Sequence, residues 1–160
     1  MDNTAEVAQI LVLIIVGKDD KPIFIMDMST NGVRTDPPHL AQFVAYQALD
    51  NIDEVIKTSN MLFLKQVDYF DTLAVSAYIT PGHCIFLLVH RNPLINPFQI
   101  TPSGNVPTPP SQESIRLFFT ELHELYVRQL INPFYTPYHT SLENNKFKNR
   151  VIALSQKHLH

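Results

Sequence analysis

The stretch His83 to His90 constrains this chain more than any other. Successive side chains of an extended strand point to opposite faces, so His83, Ile85, Leu87 and Val89 share one side while Cys84, Phe86, Leu88 and His90 share the other. Both sides are largely apolar. A strand of that kind sits at the centre of a sheet whose two faces are covered by helices. The chain has 160 residues, 45% of them hydrophobic. That suffices for one well-packed core and is too short for two ordinary domains, so residues 1–160 are expected to form a single domain.

The remaining elements follow from periodicity and punctuation. Ile10 to Val16 is rich in β-branched residues and stops at Gly17. Lys18 to Pro22 then makes a polar turn into a second strand, Ile23 to Met28. Asp36 is placed to cap a helix opening on Pro37 and Pro38 and running to about Lys57. Met61 to Val67 and Leu73 to Thr80 read as strands, with a tight turn at Pro81 and Gly82 leading into His83 to His90. Six of the twelve prolines fall between Arg91 and Ser111, which marks a long exposed loop. A helix from Gln112 to Ile131 places Ile115, Phe118, Phe119, Leu122, Leu125 and Tyr126 on one face. A last helix, from about Glu143 to Lys157, places Phe147, Val151 and Leu154 on one face. The order is ββαβββαα, an α+β class.

Charge and cysteine content exclude several functions. Lys and Arg total 12 against 15 Asp and Glu and are read as not clustering, which argues against a nucleic-acid partner and against a polybasic lipid surface. Cys84 is the only cysteine, so an internal disulfide and a multi-cysteine zinc site are both excluded. A reducing, cytoplasmic setting fits. The longest apolar run, Ile10 to Val16, is far short of the roughly 20 residues of a membrane span.

The first helix carries the candidate site. At 100° per residue Leu40, Ala41, Val44, Ala45, Ala48, Leu49, Ile52, Val55 and Ile56 form the expected buried arc, whereas Phe43, Tyr46, Asp50, Asp53 and Lys57 fall opposite. Phe43, Tyr46 and Asp50 then set two rings beside a carboxylate on the outer face, a composition typical of protein interfaces. The competing reading folds both rings back over loop residues.

Catalytic and metal motifs are missing from the sequence. His39, His83, His90, His123 and His139 show no paired helical spacing, and His158 and His160, the close pair, lie on a terminal segment expected to fray. No metal or cofactor is expected. Cys84 and His83 point to opposite faces of a strand, so they cannot act as nucleophile and base, and Cys84 reads as a buried structural thiol. Four glycines supply no phosphate cradle and no nucleophile elbow, and the pairs Asp19/Asp20 and Asp68/Asp71 read as turn residues. No enzymatic activity is expected. In the proline-rich loop Asn96, Pro97 and Phe98 form a possible adaptor-binding tripeptide, repeated at Asn132, Pro133 and Phe134 where it stops a helix.

Several blocks resemble the sedlin family of subunits of TRAPP, the transport protein particle. Ile15 to Phe24 is similar to that family's first hairpin, and His39 to Ala45 with Ala48, Leu49 and Asp50 to its first helix. Phe63 to Asp68 and Val75 to His83 are similar to its middle strands. Phe118 to Leu122, with Leu125, Tyr126 and Asn132 to Tyr135, is similar to its second helix and exit. The Arg91 to Ser111 loop departs from the pattern by its length.

The resemblance implies a longin-type, profilin-like fold: a five-stranded antiparallel sheet with one helix on one face and two on the other. It implies a non-catalytic adaptor that binds other core and peripheral TRAPP subunits and through them, indirectly, a Rab GTPase. Its place would be in the cytoplasm at ER–Golgi and Golgi membranes. It also puts Asp50 on a partner-binding surface. A small-ligand or lipid-binding domain with a groove between sheet and helices is the alternative.

Replacing residues 92–108 by a short flexible linker should leave the fold intact, because closure entropy varies slowly with loop length. A melt showing a loss above about 2 kcal/mol would mean that the loop packs on the core.

Overall fold

The computed structural model describes residues 10–17, 21–28, 39–58, 63–70, 73–80, 84–91, 112–131 and 145–159. Eight elements follow one another: β1 (Ile10–Val16), β2 (Pro22–Asp27), α1 (Leu40–Thr58), β3 (Phe63–Phe70), β4 (Leu73–Ile79), β5 (Ile85–Arg91), α2 (Gln112–Ile131) and α3 (Asn145–His158). The strands pair antiparallel in the order β2-β1-β5-β4-β3. The element order ββαβββαα is the one read from the sequence, and the antiparallel sheet is the one the family resemblance implies.

β1 and β5 occupy the middle, and every residue of β1 is buried. Ile85, Leu87 and Val89 of β5 pack with α1, while Cys84, Phe86 and Leu88 pack with α2 and α3. The alternation read from the sequence therefore holds along β5. In β1 it is interrupted. Ile10 faces His90 and Val12 faces Val89, so two steps on β1 oppose one on β5. The bulge turns Leu11 and Val12 to the same, α1-covered side, and sends Ile10 with Leu13 and Ile15 to the other.

The α1 layer lies across β1, β3, β4 and β5 and presents small residues, Ala41, Ala45 and Ala48, between Val44, Leu49 and Ile52. Small side chains let helix and sheet approach closely. The opposite layer is aromatic. Phe86 stacks near Tyr78 with centroids 5.9 Å apart, meets Tyr126 edge-on at 5.7 Å and lies 6.4 Å from Phe119. α3 reaches the edge strand through Phe147, whose ring meets Phe24 edge-on at 5.1 Å.

Local contacts close the turns. Gly17 N–H donates to the Lys21 carbonyl at 2.8 Å, and a Cβ on Gly17 would come 3.2 Å from Ile23 Cγ2, so this turn is tight against its own strand. Between β4 and β5 the Thr80 hydroxyl donates to the Cys84 carbonyl and accepts from the Cys84 N–H, both at 3.0 Å. The Cys84 carbonyl also accepts from the Thr80 N–H at 2.9 Å, so the hydroxyl adds to a backbone bond there and satisfies the Cys84 N–H.

Three expectations need correction, and a fourth falls outside the described residues. β3 runs to Phe70, so Asp68 lies within a strand and not in a turn. Four steps from Leu64 to Asp68 oppose two on β4, and this irregularity lengthens the strand. The described part of α1 begins at Leu40, with His39 accepting from the Phe43 N–H at 3.0 Å, and Asp36, Pro37 and Pro38 lie outside the described residues. Leu125 and Leu154 are half-buried against the core edge rather than within it. His158 and Leu159 are held rather than frayed, His158 being only 12% exposed and Leu159 buried, while His160 lies outside the described residues.

What holds that end is a cluster between α2 and α3. Glu121 sets one carboxylate oxygen 3.2 Å from Lys157 Nζ and the other 3.1 Å from His158 Nε2. His158, ahead of Lys157 and against a small burial penalty, keeps the Glu121 carboxyl below its ordinary value. A carboxyl depressed in the folded state stabilises above the unfolded value of 4.5, and that stability is lost as pH falls through the lowered native value.

Two stability measurements test this account. Phe86→Ala should cost about 3–5 kcal/mol in a denaturant melt, because the ring is fully buried among four others. Glu121→Gln should cost about 0.2–1 kcal/mol at pH 7, as a part-exposed pair does. Its difference from wild type should shrink as the melt is repeated at progressively lower pH below 4.5. A pH-independent difference would mean that Glu121 acts through packing alone.

Candidate partner-binding surface

α1 spans nineteen residues and turns one arc to the sheet. Ala41, Val44, Ala45, Ala48, Leu49 and Ile52 are buried, as the helical arithmetic requires. Opposite them Phe43 is 54% exposed, and Gln47, Asp50, Asn51, Asp53, Glu54 and Lys57 are exposed as well. Phe43 and Asp50, seven residues apart, share the outermost line of the helix, with Gln47 and Glu54 beside them. A phenyl ring left in water among carboxylates and amides is the unusual feature here. Solvent favours removing it, and the polar rim sets which partner could do so.

Tyr46 is placed differently from its sequence reading. It is half-buried and packs against the α1-side core, so it flanks Phe43 rather than standing beside it in solvent. Its ring lies about 60° round the helix from Phe43, close enough to the sheet for the long side chain to fold down onto it. Ile56 also departs from expectation: assigned to the buried arc, it is 37% exposed near the end of α1. The structure therefore brings Phe43 and Asp50 together on the outer face, with Tyr46 as the bridge from that face to the core. Asn96, Pro97 and Phe98 lie outside the described residues.

The titratable groups inside the molecule are built for packing. Cys84 is buried among apolar neighbours, and desolvation pushes its thiol up to about 11 despite hydrogen bonding to Tyr126 and to the Ile85 backbone. Such a thiol is a poor nucleophile at neutral pH. His90 is fully buried and its Nε2 lies 2.8 Å from Ser76 Oγ on the α2 and α3 side of the sheet. Sequence reasoning gave His90 its face but found no partner. The signal is the diagonal placement of Ser76, on neighbouring β4, two residues from the Ala74 that pairs with His90. His123 is half-buried and packs against Tyr78 and Phe86 at 5.7 and 6.3 Å. Among the described residues no group of three His, Cys, Asp or Glu could hold a metal ion, and no helix is long and apolar enough to cross a membrane.

Comparison with known proteins agrees with the block-by-block resemblance. The family model described as Sedlin matches residues 15–157. The transport protein particle 20 kDa subunit of Schizosaccharomyces pombe is 32% identical over 148 residues, covering 91% of this chain and 96% of that protein. The probable trafficking protein particle complex subunit 2 of Drosophila melanogaster is 33% identical over 150 residues, 91% of this chain and 94% of its own length. The trafficking protein particle complex subunit 20 of Saccharomyces cerevisiae is 25% identical over 178 residues, with 91% and 95% covered. A family match over residues 15–157, together with identities of 32% and 33% across 91% of the chain, establishes that the chain belongs to the sedlin family.

Proposed function

We propose that this chain is a non-catalytic adaptor subunit of a TRAPP-type vesicle-tethering and Rab-exchange complex acting between the ER and the Golgi. It links core subunits to peripheral ones and meets a Rab GTPase only indirectly, from the cytoplasmic side of Golgi membranes. The names of its relatives, each a subunit of a transport or trafficking protein particle, support this reading across nearly their whole lengths. The layered α+β architecture of a single domain over residues 1–160 fits a longin-type module, one helix on one face of the sheet and two on the other.

The observation that carries the adaptor role is the outer face of α1, where exposed Phe43 and Asp50 share one line and half-buried Tyr46 flanks them. A ring beside a carboxylate on a rigid helix suits a partner that buries the ring and pairs a cationic or N–H donor with the acid.

Asp50→Arg should abolish binding to a peripheral subunit while moving fold stability by no more than about 0.5 kcal/mol, the usual range for an exposed helix position. An interfacial carboxylate can contribute about 2–5 kcal/mol to binding, so the two effects separate cleanly. Phe43→Ala should weaken the same contact. Because Tyr46 also packs on the core, Tyr46→Phe is the informative change there, and Asp53→Ala should matter less. Circular dichroism melts and pull-downs against the assembled complex read both quantities. An Asp50→Arg chain that folds and retains every neighbour would place the interface elsewhere.

A further inference from the structure

Among the described residues six large apolar side chains are exposed, and three of them lie on α2: Leu117 at 41%, Val127 at 38% and Ile131 at 74%. Single exposed apolar residues are ordinary, but these three share a line. At 100° per residue they fall within about 80° of one another, on the side away from buried Phe118, Leu122 and Tyr126. Thr120 and Glu124 fill the gaps between them. Leu117, Thr120, Glu124, Val127 and Ile131 then follow at steps of three, four, three and four residues. That is the seam a helix presents to a second helix packed along it.

The polar groups around the seam are settled within the chain at every point but two. The Thr120 hydroxyl donates to the Arg116 carbonyl at 2.9 Å, which leaves its methyl for an apolar neighbour. Glu113 pairs with Arg116, and Glu121 with Lys157 and His158. Glu124 in the line and Arg128 on its flank are exposed, and among the described residues no ion pair reaches either.

We infer that the outer side of α2 is a docking ridge for an amphipathic helix of a neighbouring subunit. That helix lays apolar side chains over Leu117, Val127 and Ile131, brings a lysine or arginine to Glu124, and brings a carboxylate to Arg128. The inference rests on reading the chain as an adaptor and adds the form and chemistry of one partner, on the side of the sheet opposite α1. Covering the apolar side chains supplies the attraction, and a carboxylate enclosed among them must meet a cation.

A second copy of α2 fits less well. In an antiparallel pair, the register that sets Leu117 on Val127 of the other copy also sets Arg116 opposite Arg128. The register that sets Glu124 opposite Arg128 carries Leu117 past the end of the facing helix. In a parallel pair Glu124 meets Glu124. No symmetric arrangement covers the apolar line and matches its charges together. A bilayer fits no better, because it would take Glu124 at the centre of the line, and interfacial helices keep their charges on the other side.

Benzoylphenylalanine, which joins to a neighbouring C–H bond under light, is placed at Leu117, Val127 or Ile131, one position at a time, in the full chain within the purified assembly. The three products should fall on one helix of one other subunit, in order along it. Leu117→Gln/Val127→Gln/Ile131→Gln should weaken retention of that subunit about tenfold or more, and Glu124→Arg should weaken it too. Glu113→Gln should change it little, since that carboxylate is already paired within the chain. Melting temperatures should hold, because every altered side chain is exposed. The cross-links come from single replacements, so they decide the matter even where the triple variant melts early. Products only with α2 of a second copy overturn the inference, as do products only with lipid when phosphatidylserine vesicles are added. So does the absence of any product with another subunit. If Asp50→Arg still loses its own neighbour in those cases, the adaptor reading survives; if the wild-type chain assembles with nothing, both fall.

Discussion

The antiparallel pairing of β1 with β5 is the interaction on which the rest of this fold depends. It brings Leu13 against Leu88, Ile14 against Leu87 and Ile15 against Phe86, two strands that are apolar on both faces. Neither face can be left in water: removing a Leu, Ile, Val or Phe side chain from solvent is worth about 1.5–3 kcal/mol each. Two helical layers must therefore close over the sheet. α1 covers one face with alanines between larger residues, and α2 with α3 covers the other with a set of aromatic rings.

Because both faces of the sheet are consumed, polar groups inside it need partners from the sheet itself. Ser76 and His90 supply one another across neighbouring strands, and Thr80 meets both backbone groups of Cys84. Unpaired, each buried group would cost about 1–3 kcal/mol. The raised thiol of Cys84 has the same origin: its surroundings penalise charge, so the residue packs and hydrogen-bonds without ionising near neutral pH.

Periodicity made much of this legible, and its failures have physical causes. The two-sided character of β5 and the buried arcs of α1 and α2 follow from simple alternation and helical spacing, and apart from Ile56 at the end of α1 and Leu125 on α2 the described residues lie where those periods put them. The bulge at Ile10 to Val12 was invisible because every residue there is apolar, so a one-residue slip leaves the pattern unchanged. The irregularity between Leu64 and Asp68 hid for another reason: a charged residue near a strand end reads as turn when nothing local marks the extra residues. On α1 the arithmetic found Phe43 and Asp50 but placed Tyr46 fully outside, since spacing gives the direction of Cα–Cβ and not the fold of a long side chain back toward the sheet. Lys146, Lys148 and Arg150 lie within five residues of one another, so their gathering on α3 was legible in the sequence and was missed.

With the sheet enclosed, recognition is left to the outer sides of the helices and the sheet edges. On two of those helices the charges are sorted by side: carboxylates with an exposed ring on α1, cations on α3, with the sheet between them. A domain of this size has little surface to divide between partners. Opposite charge on opposite faces is one way for a small domain to present each side to a different class of partner at low stability cost. The rigidity that makes this possible comes from the core. Ala45 and Ala48 hold α1 against the strands, and Glu121 with Phe147 and Leu159 holds α3 against α2 and the sheet. Each charged face is thus presented by a helix whose other side is fixed, so a contact made there can be formed without first ordering the helix that makes it.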